Sequence, residues 1–229
     1  MTKNGGGELA DLAQAYAACT RCADLGVPPD PRRDVFFRLA DAVRPSTVQV
    51  LFIAESPPQR NRRGRWSYFF LPEERPPGED PSTLFWALAE VLALPEACGV
   101  TYRDAFRSRS EWKPRLLAEF RRRGFWLVDA AKCAVNGVAD ERRRRDAVVR
   151  CAESWLWREL RLLDPAHVVL IKANVRDLIE PLLVRWGFGP RIVGTERIPH
   201  PGSGQRANFR RLMQRLIGRH PGLFGPPGV

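Results

Sequence analysis

Five cysteines and a few isolated polar residues carry the chemistry in this 229-residue chain. Cys19 and Cys22 form a C-x-x-C pair, Cys133 and Cys151 each sit beside an element of the core, and Cys98 stands alone. In a cytoplasmic protein such a pair points to metal or redox chemistry before it points to a structural disulfide. Cys133 and Cys151 complete a set of four thiolates. Four thiolates suit zinc or an iron–sulfur cluster, and spacing alone does not separate them. The plainer reading, a small buried hydrophobe, suits Cys98. Away from the cysteines, Glu55 opens one polar segment, Asp129 lies near the end of an apolar run, and His200, one of three histidines, sits in PHPGSG.

Four segments read as buried strands that can position these groups: Val48 to Ala54, Phe125 to Ala131, His167 to Ile171, and Arg191 to Pro199. Each is short, apolar and rich in β-branched residues. Between them, Leu9 to Ala18, Ser82 to Leu94, Pro114 to Arg123, Asp146 to Leu163, Val175 to Trp186 and Asn208 to Ile217 repeat apolar residues at helical spacing. Strands alternating with helices predict an α/β fold, a three-layer α/β/α sandwich around a central, mainly parallel four-stranded sheet. The chain is expected to form a single domain over 1–229, frayed from about 220. In such sheets the site lies at the carboxyl ends of the strands. Three Gly-, Pro- or polar-rich segments follow strands there, Glu55 to Phe70, Lys132 to Val138 and His200 to Ala207. Gln59 to Asp80 exceeds an ordinary strand-to-helix connection and reads as a lid or a disordered stretch.

The formal net charge is +11 and the pI about 10.3. That balance favours a polyanionic partner, DNA or RNA ahead of an anionic membrane. No apolar run approaches the length of a spanning helix, and the first residues lack a secretory pattern, so a cytoplasmic protein with no membrane partner is expected. No obligate protein partner is implied.

The ordered set YAACTRCADLG, VQVLFIAESPP, WLVDAAKCAVNG, CAESWLWRELRLLDPAHVVLIKANV and IPHPGSG resembles the thermostable iron–sulfur uracil-DNA glycosylases of the uracil-DNA glycosylase superfamily. In that family a C-x-x-C pair precedes a strand ending in Gly-Glu-Ala-Pro-Gly. A second strand ends in Asn-Val-Val-Lys-Cys, a fourth cysteine opens the next helix, and a His-Pro motif closes the site. The likeness runs from about Cys19 to Arg211. It implies a [4Fe–4S] cluster on Cys19, Cys22, Cys133 and Cys151 with a structural or DNA-positioning role, zinc being the alternative occupant.

The resemblance places Glu55 on the acidic residue of the first motif, Asp129 on the base-reading asparagine and His200 on the final histidine. Cleaving an N-glycosidic bond leaves an electron-deficient sugar and an electron-rich base, so Glu55 is expected beside the sugar and His200 as a donor to the base. Ser56 and Pro57 line the base, and Tyr68 or Phe69 provides its stacking platform. Arg60, Arg62, Arg63 and Arg65 are expected on phosphates, with Ser203, Gln205 or Arg206 entering the duplex. The departures bear on substrate. QRNRRGR replaces the acidic residues that normally follow the first motif, and an aspartate replaces the asparagine. A carboxylate only accepts hydrogen bonds, whereas a protonated acid offers one donor and one acceptor, the complement of cytosine's N3 and N4. The favoured expectation is therefore a DNA glycosylase that flips out and excises a modified cytosine. That extends the resemblance to bacterial anti-phage enzymes acting on glucosylated hydroxymethylcytosine. The alternatives are uracil as the substrate, a non-catalytic DNA-binding or capture module, and a small redox or metal-binding protein.

Overall fold

The computed structural model describes residues 11–12, 14–42, 44–58, 68–71, 82–202 and 204–225. Its centre is a three-stranded parallel sheet of β1 (Val50–Ala54), β2 (Phe125–Asp129) and β3 (His167–Leu170), in the order β2-β1-β3. Every residue of β1 is buried, because the strand is covered on both faces as well as paired on both edges. Val50 pairs with Phe125 and with His167, and Ala54 pairs with Asp129. After β1 the chain moves to one side of the sheet and after β3 to the other. The carboxyl ends of these two strands therefore flank a topological switch point, where open α/β sheets bind ligands.

The expected fourth strand is present only as two isolated parallel bridges, Val168 to Ile192 and Ile171 to Ile198. Gly194 explains the interruption. Its φ of 71° leaves the extended region, and Arg176 Nη2 donates to its carbonyl at 2.8 Å.

Helices dominate the remainder. A helical stretch includes residues 11–12 and 14–17, followed by α1 (Arg33–Ala42), α2 (Thr83–Val91), α3 (Leu94–Ala97), α4 (Tyr102–Arg107) and α5 (Arg109–Arg122). Then come α6 (Glu141–Cys151), α7 (Trp157–Leu163), α8 (Ala173–Arg185), α9 (Arg206–Arg219) and α10 (Pro221–Phe224). A π-turn, Ala152–Leu156, joins α6 and α7, so the predicted Asp146 to Leu163 helix is continuous but starts earlier. Helices α1, α4 and α10 match none of the expected helical segments, and α1 is the longest of them. Phe36, Leu39 and Ala40 carry helical spacing, a signal that the Pro- and Arg-rich flanks obscure.

Of the segment expected to fray from about 220, residues 220–225 are described and dock on the fold. Phe224 is buried, and Arg123 Nη1 donates to its carbonyl at 3.4 Å. The same guanidinium donates to Leu92 O at 2.8 Å and pairs with Glu119 at 2.7 Å, so one buried side chain ties α5, α2 and α10 together. Among the described residues, no helix is long and apolar enough to cross a membrane.

Gly124 sets the register of the central pair. Its carbonyl accepts from Gln49 N at 2.8 Å and Val50 N at 3.3 Å, and its φ is 70°. A Cβ there would lie 2.7 Å from Gln49 Cγ and 3.1 Å from Thr47 O. Gly124→Ala is expected to destabilise the protein by about 1–2 kcal/mol or more, from left-handed strain alone. Denaturant unfolding checks this, with Gly218→Ala, which meets nothing within 4 Å, as the reference.

Candidate functional site

Glu55 follows β1 directly and is 5% exposed. A bare buried carboxylate is costly, so both its oxygens are taken. Lys172 Nζ pairs with Oε2 and Asn174 Nδ2 donates to Oε1. Both partners come from the turn into α8, which parallel pairing of β3 with β1 sets beside Glu55. Lys172 adopts φ 87° and ψ 131°, a region that L side chains avoid. Such strain costs on the order of 1–3 kcal/mol and persists only where surroundings fix it. Here the Lys172 backbone N–H donates to Ile198 O at 2.6 Å, and its side chain is held by Glu55. Neither Lys172 nor Asn174 was singled out from sequence. The only available signal was their position just after a predicted strand, at the sheet edge where sites form.

Asp129 ends β2, one strand over from Glu55. Ala130 N donates to Ala54 O and Ala131 N to Glu55 O, both at 2.8 Å, which locks the two strand ends together. Asp129 lines a cleft that it shares with Pro57, Tyr68, Phe36, Lys132 and Glu159. Burial is the main cause that pushes its pKa up from 3.8 to about 7. Lys132 opposes the rise, while Glu159 and Glu55 add to it. Lys132 Nζ is committed elsewhere, to Glu159 and to Asp129's own carbonyl at 2.6 Å, so it offsets the penalty without abolishing it. Near neutral pH, Asp129 is thus an acid that can hold its proton.

His200 follows the Ile171 to Ile198 bridge and stands at the solvent-facing rim of the same strand ends. Its pKa is lowered, first by desolvation and then by the Lys172 ammonium, with Glu55 opposing. The ring is therefore neutral at ordinary pH. Gly202 N donates to its Nδ1 at 3.1 Å, which leaves the proton on Nε2. A neutral imidazole with a free Nε2–H is a hydrogen-bond donor beside the Glu55 pair. Gly202 leaves room for this turn, since a Cβ there would sit 3.0 Å from Nδ1.

The four cysteines other than Cys98 line one pocket, and all five thiols are free. Burial raises Cys22 to about 11 and Cys151 to about 12, with smaller contributions from neighbouring cysteines. Lys132 N donates to Cys151 Sγ at 3.1 Å, and Arg33 bridges Cys133 Sγ at 3.8 Å and Cys19 O at 2.6 Å. Cys98, which caps α3, does not line this pocket. Among the described residues, no three His, Cys, Asp or Glu side chains are grouped to hold a metal ion.

The aromatic residues divide. Tyr68 lines the Asp129 cleft and stacks on Phe36 at 4.3 Å, whereas Phe69 packs into the core against Phe85 and Phe120. Ser56 is half-buried, with its Oγ unpartnered, and Pro57 joins the cleft. Arg206, expected to enter a duplex, is instead engaged within the fold, pairing with Glu90 at 2.9 Å and donating to the Tyr102 hydroxyl. That ion pair fastens α9 to α2. Gln205 is exposed at the start of α9. Arg60, Arg62, Arg63, Arg65 and Ser203 lie outside the described residues.

No family model, curated protein or solved structure matches the chain.

The Asp129 environment has a measurable consequence for stability. A folded-state pKa of about 7 against an ordinary 3.8 means that the folded protein holds a proton the unfolded chain releases. The resulting stabilisation is complete below about pH 4 and is lost as pH rises through about 7. Asp129→Asn removes this dependence. The melting temperature of wild type relative to Asp129→Asn is expected to fall between pH 4 and pH 8, and a constant difference would contradict the raised pKa.

Proposed function

We propose that this chain is a DNA glycosylase of the uracil-DNA glycosylase superfamily that excises a modified cytosine. One observation carries the reading: Asp129, a carboxyl group able to stay protonated near pH 7, shares a cleft with Tyr68 one strand from the buried Glu55. A neutral acid offers cytosine a proton toward N3 and an oxygen toward the N4 amino group. Tyr68 supplies the stacking face, and His200 Nε2–H is a donor to charge that develops on the departing base. Glu55 stabilises the electron-deficient sugar or orients the attacking water. Its pairing with Lys172 moderates that charge, so the Lys172 and Asn174 contacts set where the carboxylate sits. The +11 charge suits a DNA partner. In the same reading, segment 191–199 completes a fourth strand and the helices form outer layers of an α/β/α sandwich, with the enzyme acting in the cytoplasm.

A [4Fe–4S] cluster would be held by Cys19, Cys22, Cys133 and Cys151. Ligands of a single zinc ion stand about 3.8 Å apart, from tetrahedral Zn–S bonds of about 2.3 Å. What supports a shared site is that these four cysteines line one pocket while Cys98 does not. The cluster would supply cross-linking of the N-terminal segment to the loop after Asp129, with no part in bond cleavage. Protein purified without oxygen is expected to be brown and to contain iron and acid-labile sulfide, with Cys98→Ser unchanged in metal content. Stoichiometric zinc in colourless protein would overturn the assignment.

Single-turnover base release is the direct test, on matched oligonucleotides carrying uracil, cytosine or a substituted cytosine. Wild type is expected to prefer the substituted cytosine, with a rate that declines as pH rises through about 7 as Asp129 ionises. Glu55→Gln and His200→Ala should each slow release by about 10²-fold or more. Asp129→Asn should lose activity on cytosine derivatives by a similar factor, because an amide cannot pass a proton to the leaving base. A wild-type preference for uracil would favour the repair alternative. Binding without base release from any substrate would favour a non-catalytic module.

A further inference from the structure

Lys172 is more than Glu55 needs. A counter-ion to a buried carboxylate can come from any unstrained position, yet this lysine is held at φ 87° where the turn into α8 meets the Ile198 carbonyl. Its side chain keeps 31% exposure while that of Glu55 keeps 5%, so the lysine is the solvent-accessible partner of the pair. The other lysines are placed differently. Lys113 is 1% exposed and donates to Tyr68 O, Lys132 is tied to Glu159 and Asp129 O, and Lys3 lies outside the described residues.

We propose that Lys172 is a nucleophile that captures an abasic deoxyribose as an imine at C1′, giving the protein a second activity toward the product of base removal. The proposal rests on the glycosylase reading, because it is that reading which brings the sugar to Glu55. The chemistry needs an amine, an aldehyde and a group that carries a proton between them. Lys172 Nζ passes a proton to the Glu55 oxygen that it contacts, and the freed lone pair attacks C1′ of the ring-opened sugar. The resulting alkoxide takes a proton from the newly bonded nitrogen to give the carbinolamine, and Glu55 then returns its proton to that hydroxyl, which leaves as water. An ammonium and an aldehyde thus become an iminium and water, with Glu55 unchanged and no oxidant or reductant consumed. Asn174 holds the other Glu55 oxygen during the exchange.

The test uses the full-length protein and an oligonucleotide with a preformed abasic site, with sodium cyanoborohydride added to reduce any imine to a stable secondary amine. A covalent adduct mapping by peptide mass spectrometry to Lys172 is the expected result. The four lysines of the chain make that mapping unambiguous. Lys172→Arg keeps a cation beside Glu55 but no imine-forming amine, and should reduce trapping at least tenfold. No adduct, an adduct on Lys3, Lys132 or the amino terminus, or undiminished trapping by Lys172→Arg would overturn the proposal. Mapping in wild type decides the matter even if the variant fails to fold. The preformed abasic site bypasses base removal, so missing capture with intact base release refutes Lys172 alone. Absent base release from every modified substrate refutes the glycosylase reading instead.

Discussion

The carboxylate of Glu55, buried at the end of the central strand and gripped through both oxygens by Lys172 and Asn174, is the constraint on which the site depends. A charge in that position would unfold or neutralise itself without partners. The partners are supplied by the neighbouring strand end, and their delivery requires parallel register between β1 and β3. It also requires Lys172 to accept a backbone conformation that suits glycine better. The strain at one residue thus sustains the pairing at another. Removing Lys172 leaves Glu55 as a buried carboxylate held by Asn174 alone.

Two carboxyl groups on adjacent strands meet opposite conditions. Glu55 is satisfied by an ammonium and an amide, while Asp129 is surrounded by protein mass and by other acidic groups, with Lys132 occupied by Glu159. One carboxyl group is thus held by hydrogen-bond donors, while burial favours a proton on the other. His200 completes the contrast, kept neutral by desolvation and by Lys172, with its tautomer fixed by Gly202. The site combines an anion, a proton-bearing acid and a neutral donor at the ends of one small sheet.

Lys132 connects this site to the cysteine pocket. Its backbone N–H rests on Cys151 sulfur, while its ammonium spans Glu159 and the Asp129 carbonyl. Whatever orders the four thiols also orders the loop that follows Asp129. The π-turn after Cys151 adds to this arrangement, since an extra residue in a helical turn shifts the side chains beyond it, as such bulges commonly do at functional sites.

Sequence alone determined the parallel α/β character, three strands within two residues of their ends, the C-x-x-C pair, and the separation of Cys98 from the other four. These are local properties: apolar runs, helical periodicity and spacing are written along the chain. Of the expected fourth strand, RIVGTERIP forms two isolated bridges, and Gly194 between them takes a positive φ that composition does not announce. Tyr68 and Phe69 are adjacent and both buried, and only their neighbours in the fold put Tyr68 at the cleft wall and Phe69 against Phe85 and Phe120. Arg206, expected to enter a duplex, is engaged by Glu90 and Tyr102, each more than 100 residues away, which no local pattern announces. Lys172 and Asn174 carry no motif, and their role arises when β3 pairs with β1. Composition fixed which groups were available; the tertiary fold decided which of them are buried together, because burial and charge pairing depend on neighbours distant in the chain.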